Sequence, residues 1–401
     1  MIRIYPLEFI KTKRLFQSIT VTLMMRNPIK NILILLFIFL FSKNISYCKD
    51  LGNSQSDWEK YGVKDKVKSY TTTKYTVKEV NGKIIKDKKL CSLYDCEYFL
   101  FDNKGNLLEK TVYDELNQPI FEEYYQYDNN GNKIAEHRYI NGNINNGVSY
   151  KYNTNRDNIE EIQYLNSHIL TKITRKYDIN HNKIEENTYN VKGGLDYKYG
   201  YVYDINNNLI QKNIYRNNGS LEYKEIYQYD KNGNQINKKV VYTEGESKNY
   251  RIEYVYNSYG KQIKQVKYDA NGSINYTFIY KYDDKNNMIQ RSHYIKNNLN
   301  ESKQDILVYQ ETSQYDVNRN IIKRTYYDTR YSVGSIDGNL ISYFYKYDAK
   351  GNNIERYNQN TTNDNTQKLI YQYDQKGNKV SVVEYKNGIA TYLTEITYYY
   401  F

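Results

Sequence analysis

Asp128, Asn130 and Asn132 set side-chain oxygens at alternate positions around a tight turn, the spacing that opens a calcium-binding loop. The pattern returns at Asp178, Asn180 and Asn182; at Asp204, Asn206 and Asn208; at Asp230, Asn232 and Asn234; and at Asp316, Asn318 and Asn320. The acid that completes such a loop five or six positions on is missing, and Lys104, Lys285, Lys350 and Lys376 put an ammonium at the middle position of other copies. Turn chemistry accounts for the motif without a metal, because Asp bonds back to the turn backbone and Asn and Gly accept positive φ. No metal and no other cofactor is expected. His137, His168, His181 and His293 occupy unrelated phases, and no zinc-protease, phosphate-loop or serine-elbow pattern occurs, so the chain is not read as an enzyme.

Three cysteines add covalent chemistry. Residues 26–30 are basic, residues 32–41 apolar, and polar residues follow up to Cys48: the order of a secretory signal, with an apolar run too short to span a bilayer comfortably. Met24 or Met25 is the expected start of that signal. Ile45-Ser46-Tyr47-Cys48 resembles a bacterial lipobox, in which the cysteine becomes the lipidated first residue, although Tyr47 is bulkier than the residue usual there. Cleavage by an ordinary signal peptidase and free secretion is the competing outcome. Cys91 and Cys96 bracket residues 92–95, where hairpin partners would face each other, and an exported chain meets conditions in which they bridge. Two unpaired thiols are the alternative.

The elements that must position these groups are written in a period. An aromatic followed by Asp or Asn recurs at Phe101, Tyr127, Tyr152, Tyr177, Tyr203, Tyr229, Tyr256, Tyr282, Tyr315, Tyr347 and Tyr373, in steps of 26, 25, 25, 26, 26, 27, 26, 33, 32 and 26 residues. A fixed period of this size means one supersecondary unit stacked on its own copies. Within a unit, two turn signals such as Asp128-Asn129-Asn130-Gly131 and Asn141-Gly142 separate two strands of about eight residues. The strand entering each pair alternates: Tyr125 and Tyr127, or Tyr227 and Tyr229, share one face while Gln126 and Gln228 point oppositely. An isoleucine or valine seven residues after each pair's aromatic, from Ile134 to Val380, opens the second strand, and tyrosines such as Tyr139 and Tyr164 close it.

Tyrosine fills 51 of 401 positions, leaving too few aliphatic residues for a thick apolar interior. The expectation is a thin sheet whose rings bury against neighbouring repeats while the hydroxyls stay in water. The chain carries +11, but residues 1–47 hold seven Lys/Arg and one acid, which leaves 50 basic against 45 acidic residues and a net +5. That weak excess gives no reason to expect nucleic acid as a partner.

The phased pairs, as in Tyr229-Asp230-Lys231-Asn232-Gly233-Asn234 and Tyr373-Asp374-Gln375-Lys376-Gly377-Asn378, resemble those of the YD-repeat, or Rhs-repeat, proteins over about residues 75–401. The unit here is longer, and Asn rather than Arg follows the turn glycine. The resemblance implies a large bacterial envelope or secreted protein whose sheet can spiral into a shell around a C-terminal toxin. No sequence follows the last repeat, which sets the expectation against toxin delivery itself.

The fold expected is all-β: an elongated antiparallel β-meander of about eleven 26-residue two-strand repeats, flat or curled, over residues 68–401, after a signal segment 1–48 and a linker 49–67. Two adjacent units lengthen their second turn, so Lys296, Lys303, Asp305, Arg330, Tyr331 and Asp337 are expected to crowd one edge as a candidate ligand site. The function expected is an exported, non-enzymatic repeat protein of the cell envelope or surface, held at the membrane if Cys48 is lipidated or else secreted, that contacts proteins or glycans. A repeat-based carbohydrate-active enzyme and a relative of an Rhs toxin-delivery shell are the alternatives.

Overall fold

The computed structural model describes residues 56–92, 95–296, 305–329, 339–360 and 366–401. Among these residues one four-residue helix, α1 (Asp57–Lys60), precedes 25 antiparallel strands. From β3 (Glu97–Phe101) onward, consecutive strands pair as hairpins, for example β11 (Leu195–Tyr203) with β12 (Leu209–Tyr215), and β13 (Leu221–Tyr229) with β14 (Gln235–Tyr242).

Each Tyr-Asp turn is a three-residue loop. Asp128 N–H donates to the Asn132 carbonyl at 2.9 Å and Gly131 N–H to the Asp128 carbonyl at 3.0 Å, with Gly131 at φ +83°; this is a type I turn closed by a left-handed residue. The Asp128 carboxylate accepts from the backbone of Asn130 and Asn132 and from the Asn132 amide, at 2.8–2.9 Å. The opposite turns include two-residue type I′ loops in which both residues have positive φ, as at Asn141 (49°) and Gly142 (74°).

The periodic isoleucine is the extra residue of a β-bulge. Tyr127 pairs with Lys133 and Gln126 with Ala135, so Ile134 has no partner; Ile210, Ile236 and Ile263 are passed over in the same way. A bulge bends its strand and increases the local twist. Repeated at one phase around the chain, the bends add in one sense.

That curvature corrects the open meander. β25 (Ile389–Tyr400) pairs with β1 (Val67–Val80) in a register running from Val67 opposite Tyr400 to Thr76 opposite Tyr392. The other edge of β1 is shared end to end by β3 (Glu97–Phe101) and β2 (Lys83–Leu90). The ring thus closes through 24 strands as an antiparallel β-barrel. Closure removes the two unpaired edges that an open sheet would expose.

The Tyr-Asp tyrosines face inward, where a closed ring is concave and side chains are more enclosed. Arg175 and Lys183 on this face are 12% and 14% exposed; Lys151 and Lys176 on the opposite face are 70% and 69% exposed. At a strand spacing of about 4.8 Å, a 24-strand ring measures roughly 115 Å around before tilt, or about 37 Å across. Inner tyrosines such as Tyr201, Tyr203, Tyr227 and Tyr229 are half-buried rather than buried, so the walls do not press together as a two-sheet sandwich would. The compact apolar cluster of Val63, Val67, Tyr70, Phe99, Phe101 and Leu107 sits at the seam, with Trp58, Tyr398 and Tyr400 packed against it.

Candidate functional site: the inner wall

Six positions of the repeat build the inner wall: the Tyr-Asp tyrosine, the residues two and four before it, and the residues six, nine and eleven after it. Strand alternation and the bulge bring them to one face, as in Tyr229, Tyr227, Glu225 and Lys238. The tyrosines fix the wall to itself. Each Tyr-Asp hydroxyl donates to a backbone carbonyl of the preceding repeat at the first residue of its bulged strand: Tyr152 to Lys133, Tyr177 to Asn158, Tyr203 to Lys183, Tyr229 to Leu209, Tyr256 to Gln235 and Tyr373 to Asn353, at 2.7–2.9 Å. The expectation of hydroxyls left in water is therefore corrected. A carbonyl beside a bulge lacks its regular ladder geometry, and the phenol supplies a donor from the next hairpin.

Charged pairs fill the remaining inner positions between β4 (Leu107–Tyr113) and β10 (Lys183–Tyr189). Lys110 meets Glu97 at 2.8 Å, and Arg138 meets Glu123 at 2.7 Å. Arg175 spans Glu161, Glu186 and Asn158, each at 2.9 Å, and Lys183 adds a second contact to Glu186 at 2.9 Å. Burial alone would raise the Glu186 pKa, but Lys183 and Arg175 outweigh it and hold the carboxyl below its usual range. Glu225 behaves alike: burial opposes its charge, while Lys238 and the Tyr227 hydroxyl keep it ionised. Burial drives the phenols the other way, with Tyr203 pushed up to about 12.

The outer wall faces water. Glu160 is clasped by Lys151 and Lys172, Glu185 by Lys176 and Lys198, and Glu355 by Lys346 and Lys368, at 2.6–3.1 Å. A lipid-facing barrel needs an apolar outer band about 25 Å tall. Charged triads inside the strands do not supply one.

Of the residues singled out by sequence, Cys91 and Cys96 are joined in a disulfide with S–S 1.99 Å. Lys296 and Asp305 stand exposed at the ends of β18 (Met288–Ile295) and β19 (Ile306–Tyr315). Cys48, Lys303, Arg330, Tyr331 and Asp337 lie outside the described residues. Among the described residues, no group of three or more His, Cys, Asp or Glu is placed to hold a metal. In the Asp-x-Asn-x-Asn turns both carboxylate oxygens already accept N–H donors of the turn. The inner charges escaped the sequence reading, although their signal was present: they share the tyrosine's face by simple alternation on one strand and by the bulge-shifted register on the next.

Fold and wall together define a closed antiparallel β-repeat barrel with polar surfaces on both sides. No family model matches the chain, and no curated protein matches it. Among solved structures, the Photorhabdus luminescens Tc holotoxin pore overlaps it at TM-score 0.37 and 13% identity, covering 78% of this chain and 18% of that one. A TcdB2-TccC3 structure without its hypervariable C-terminal region overlaps at TM-score 0.36 and 12% identity, covering 81% and 18%. A porin-like protein from Bacteroides uniformis overlaps at TM-score 0.22 and 8% identity, covering 83% and 96%. The chain spans about a fifth of the length of the two toxin chains. Overlaps at these TM-scores carry no argument about function.

Proposed function

We propose that the chain is an exported, non-enzymatic repeat protein of the YD type whose closed ring takes up protein or carbohydrate ligands against its inner wall. The observation that carries this reading is the pairing of β25 with β1, which turns the repeated tyrosine face into an enclosed wall bearing charged groups. The pairing of the inner carboxylates supports the non-enzymatic part. Glycoside hydrolysis needs one carboxyl kept protonated beside another that is ionised, whereas Glu186 and Glu225 are both held ionised by neighbouring cations. The signal order of residues 26–48 supports export, with the lipid tether at Cys48 as the means of retention at the envelope.

Incubating the mature chain with protein and glycan arrays, then weighing each bound ligand, tests the reading. Binding with ligand mass unchanged is expected, and a converted ligand would replace the scaffold with an enzyme. Mass spectrometry of the mature N-terminus with and without globomycin tests the tether: a diacylglyceryl group on Cys48 is expected, and a cut elsewhere removes it.

A further inference from the structure

The inner wall is not uniform in charge, and the imbalance selects a ligand. Between β4 and β10 its cations and carboxylates meet one another, as described above. Between β12 and β24 (Lys379–Lys386) the cations outnumber the carboxylates. Glu225 and Glu311 are taken by Lys238 at 2.8 Å and Arg324 at 3.2 Å, and Glu384 by Lys74 at 3.3 Å across the seam. Lys212 stands opposite Glu225 across β12–β13 and shares that carboxylate with Lys238. Lys267, Arg291, Arg356 and Lys379 make no ion pair with a carboxylate among the described residues. Each instead lies over an aromatic ring, 4.5 Å from the centre of Tyr250, 5.2 Å from Phe278, 4.9 Å from Tyr343 and 4.6 Å from Tyr371, respectively. Burial depresses the Lys379 pKa, the cost of holding a cation there without a counter-ion.

We propose that the inner wall from β12 to β24 binds an acidic polysaccharide, a chain of sugars bearing carboxylate or sulfate groups. The inference rests on the reading that ligands enter the ring. Three features favour this ligand. The cations face inward in surplus, so the complement is an anion. They alternate with the half-buried rings of Tyr254, Tyr280 and Tyr345 on the same wall, whose faces stack on the C–H faces of sugars. The spacing also fits: Arg291, Arg324 and Arg356 stand nine residues after the tyrosines of three successive Tyr-Asp pairs, so each is one hairpin, about 10 Å, from the next along the wall. That is close to the advance of one disaccharide, so a two-fold polyuronate, whose carboxylates on one side recur at every second sugar, meets the cations in phase. An extended acidic peptide presents same-face side chains about 6.8 Å apart and falls out of phase within a few residues.

The test is titration of the mature full chain with alginate oligomers, and with dextran, polyglutamate and single-stranded DNA as competitors of other chemistry. Alginate is expected to bind, more weakly as salt rises. Arg356→Gln and Lys379→Gln are each expected to weaken it about 5-fold, and together at least about 20-fold, for loss of charge-assisted contacts. Lys346→Gln and Lys368→Gln on the outer wall are expected to change it less than about 2-fold, because exposed pairs contribute little. Arg356→Lys, which keeps the charge and the fold, recovers part of the loss. No alginate binding, or tighter binding of polyglutamate or DNA, overturns the inference. Dextran preferred, yet still sensitive to Arg356→Gln, overturns the acidic ligand and leaves the inner-wall reading standing. Binding indifferent to every inner-wall variant overturns both.

Discussion

The hydroxyl of Tyr229 donates to the carbonyl of Leu209 at 2.8 Å, joining one repeat to the one before it. The same bond recurs from Tyr127 to Leu107 and, at the far end of the array, from Tyr398 to Lys379. It gives the Tyr-Asp tyrosine a role that phenylalanine cannot fill, and it ties the spacing of neighbouring hairpins to the bulge that curves them.

Tyr229→Phe removes the bond and keeps the ring. A loss of about 1 kcal/mol in unfolding free energy is expected, the usual net worth of one intramolecular hydrogen bond. Urea denaturation measures it, and faster amide exchange in residues 209–215 should accompany it. An unchanged midpoint would show that water replaces the phenol at no cost.

The seam has its own fastener. Asp57 in α1 accepts from the Leu107 backbone at 2.8 Å and the Tyr127 hydroxyl at 3.1 Å, while Lys64 binds Asn378 and Asn352 on the other side of the closure. Trp58 donates to the Val67 carbonyl at 2.7 Å and is the sole tryptophan of the chain. Asp57→Ala leaves a half-buried N–H without its acceptor, a cost of about 1–3 kcal/mol. Red-shifted tryptophan emission at denaturant concentrations below global unfolding is the expected readout; emission that moves only with the global transition counts against a separate seam.

One copy of the turn carries its own control. At Asn153 and Asp157 the acid and the amide are exchanged, and the bonds survive: Asn153 Nδ2 donates to Asp157 at 2.8 Å, and the Asn153 side-chain oxygen accepts from the backbone of Asn155 and Asp157 at 2.9 Å. Asp230→Asn alone replaces the charged acceptor of the Asn234 amide with a neutral one and is expected to cost about 1 kcal/mol. Asn234→Asp in the same chain should restore stability to within about 0.5 kcal/mol. Failure of the double variant to recover would place the value of Asp230 in its charge rather than in its bonds.

Stability should form a plateau in pH with two limbs. Hydrogen bonds from the turn Asn hold Asp128, Asp204, Asp230, Asp283, Asp316 and Asp348 below the ordinary value of 3.8. Depressed carboxyls contribute stability that is present above their unfolded pKa and lost as pH falls through the folded one. Burial raises Tyr203, Tyr223 and Tyr254 from 10.0 to about 12, so their contribution is present below pH 10 and lost as pH rises toward 12. Thermal midpoints are expected to hold between about pH 5 and 9 and to fall on both sides. Tyrosinate absorbance should grow in step with the alkaline limb; phenols that ionise before any unfolding would show the wall to be open to hydroxide.

The sequence by itself determined the hairpin, because each of its parts is local. Asp, Asn and Gly write the turns, period-two alternation assigns the faces, and a 26-residue step repeats the unit in phase. It also marked the bulge, as the isoleucine seven residues after each tyrosine, without revealing that Ile134 or Ile236 stands outside the ladder. Only the tertiary structure decided that the array is closed. Whether Tyr400 reaches Val67 depends on small bends summed over 24 strands, and no single repeat contains that sum. The same holds for the surplus of cations inside: Arg356 and Lys379 are ordinary surface residues on an open sheet, and become an enclosed, uncompensated charge once the last strand meets the first.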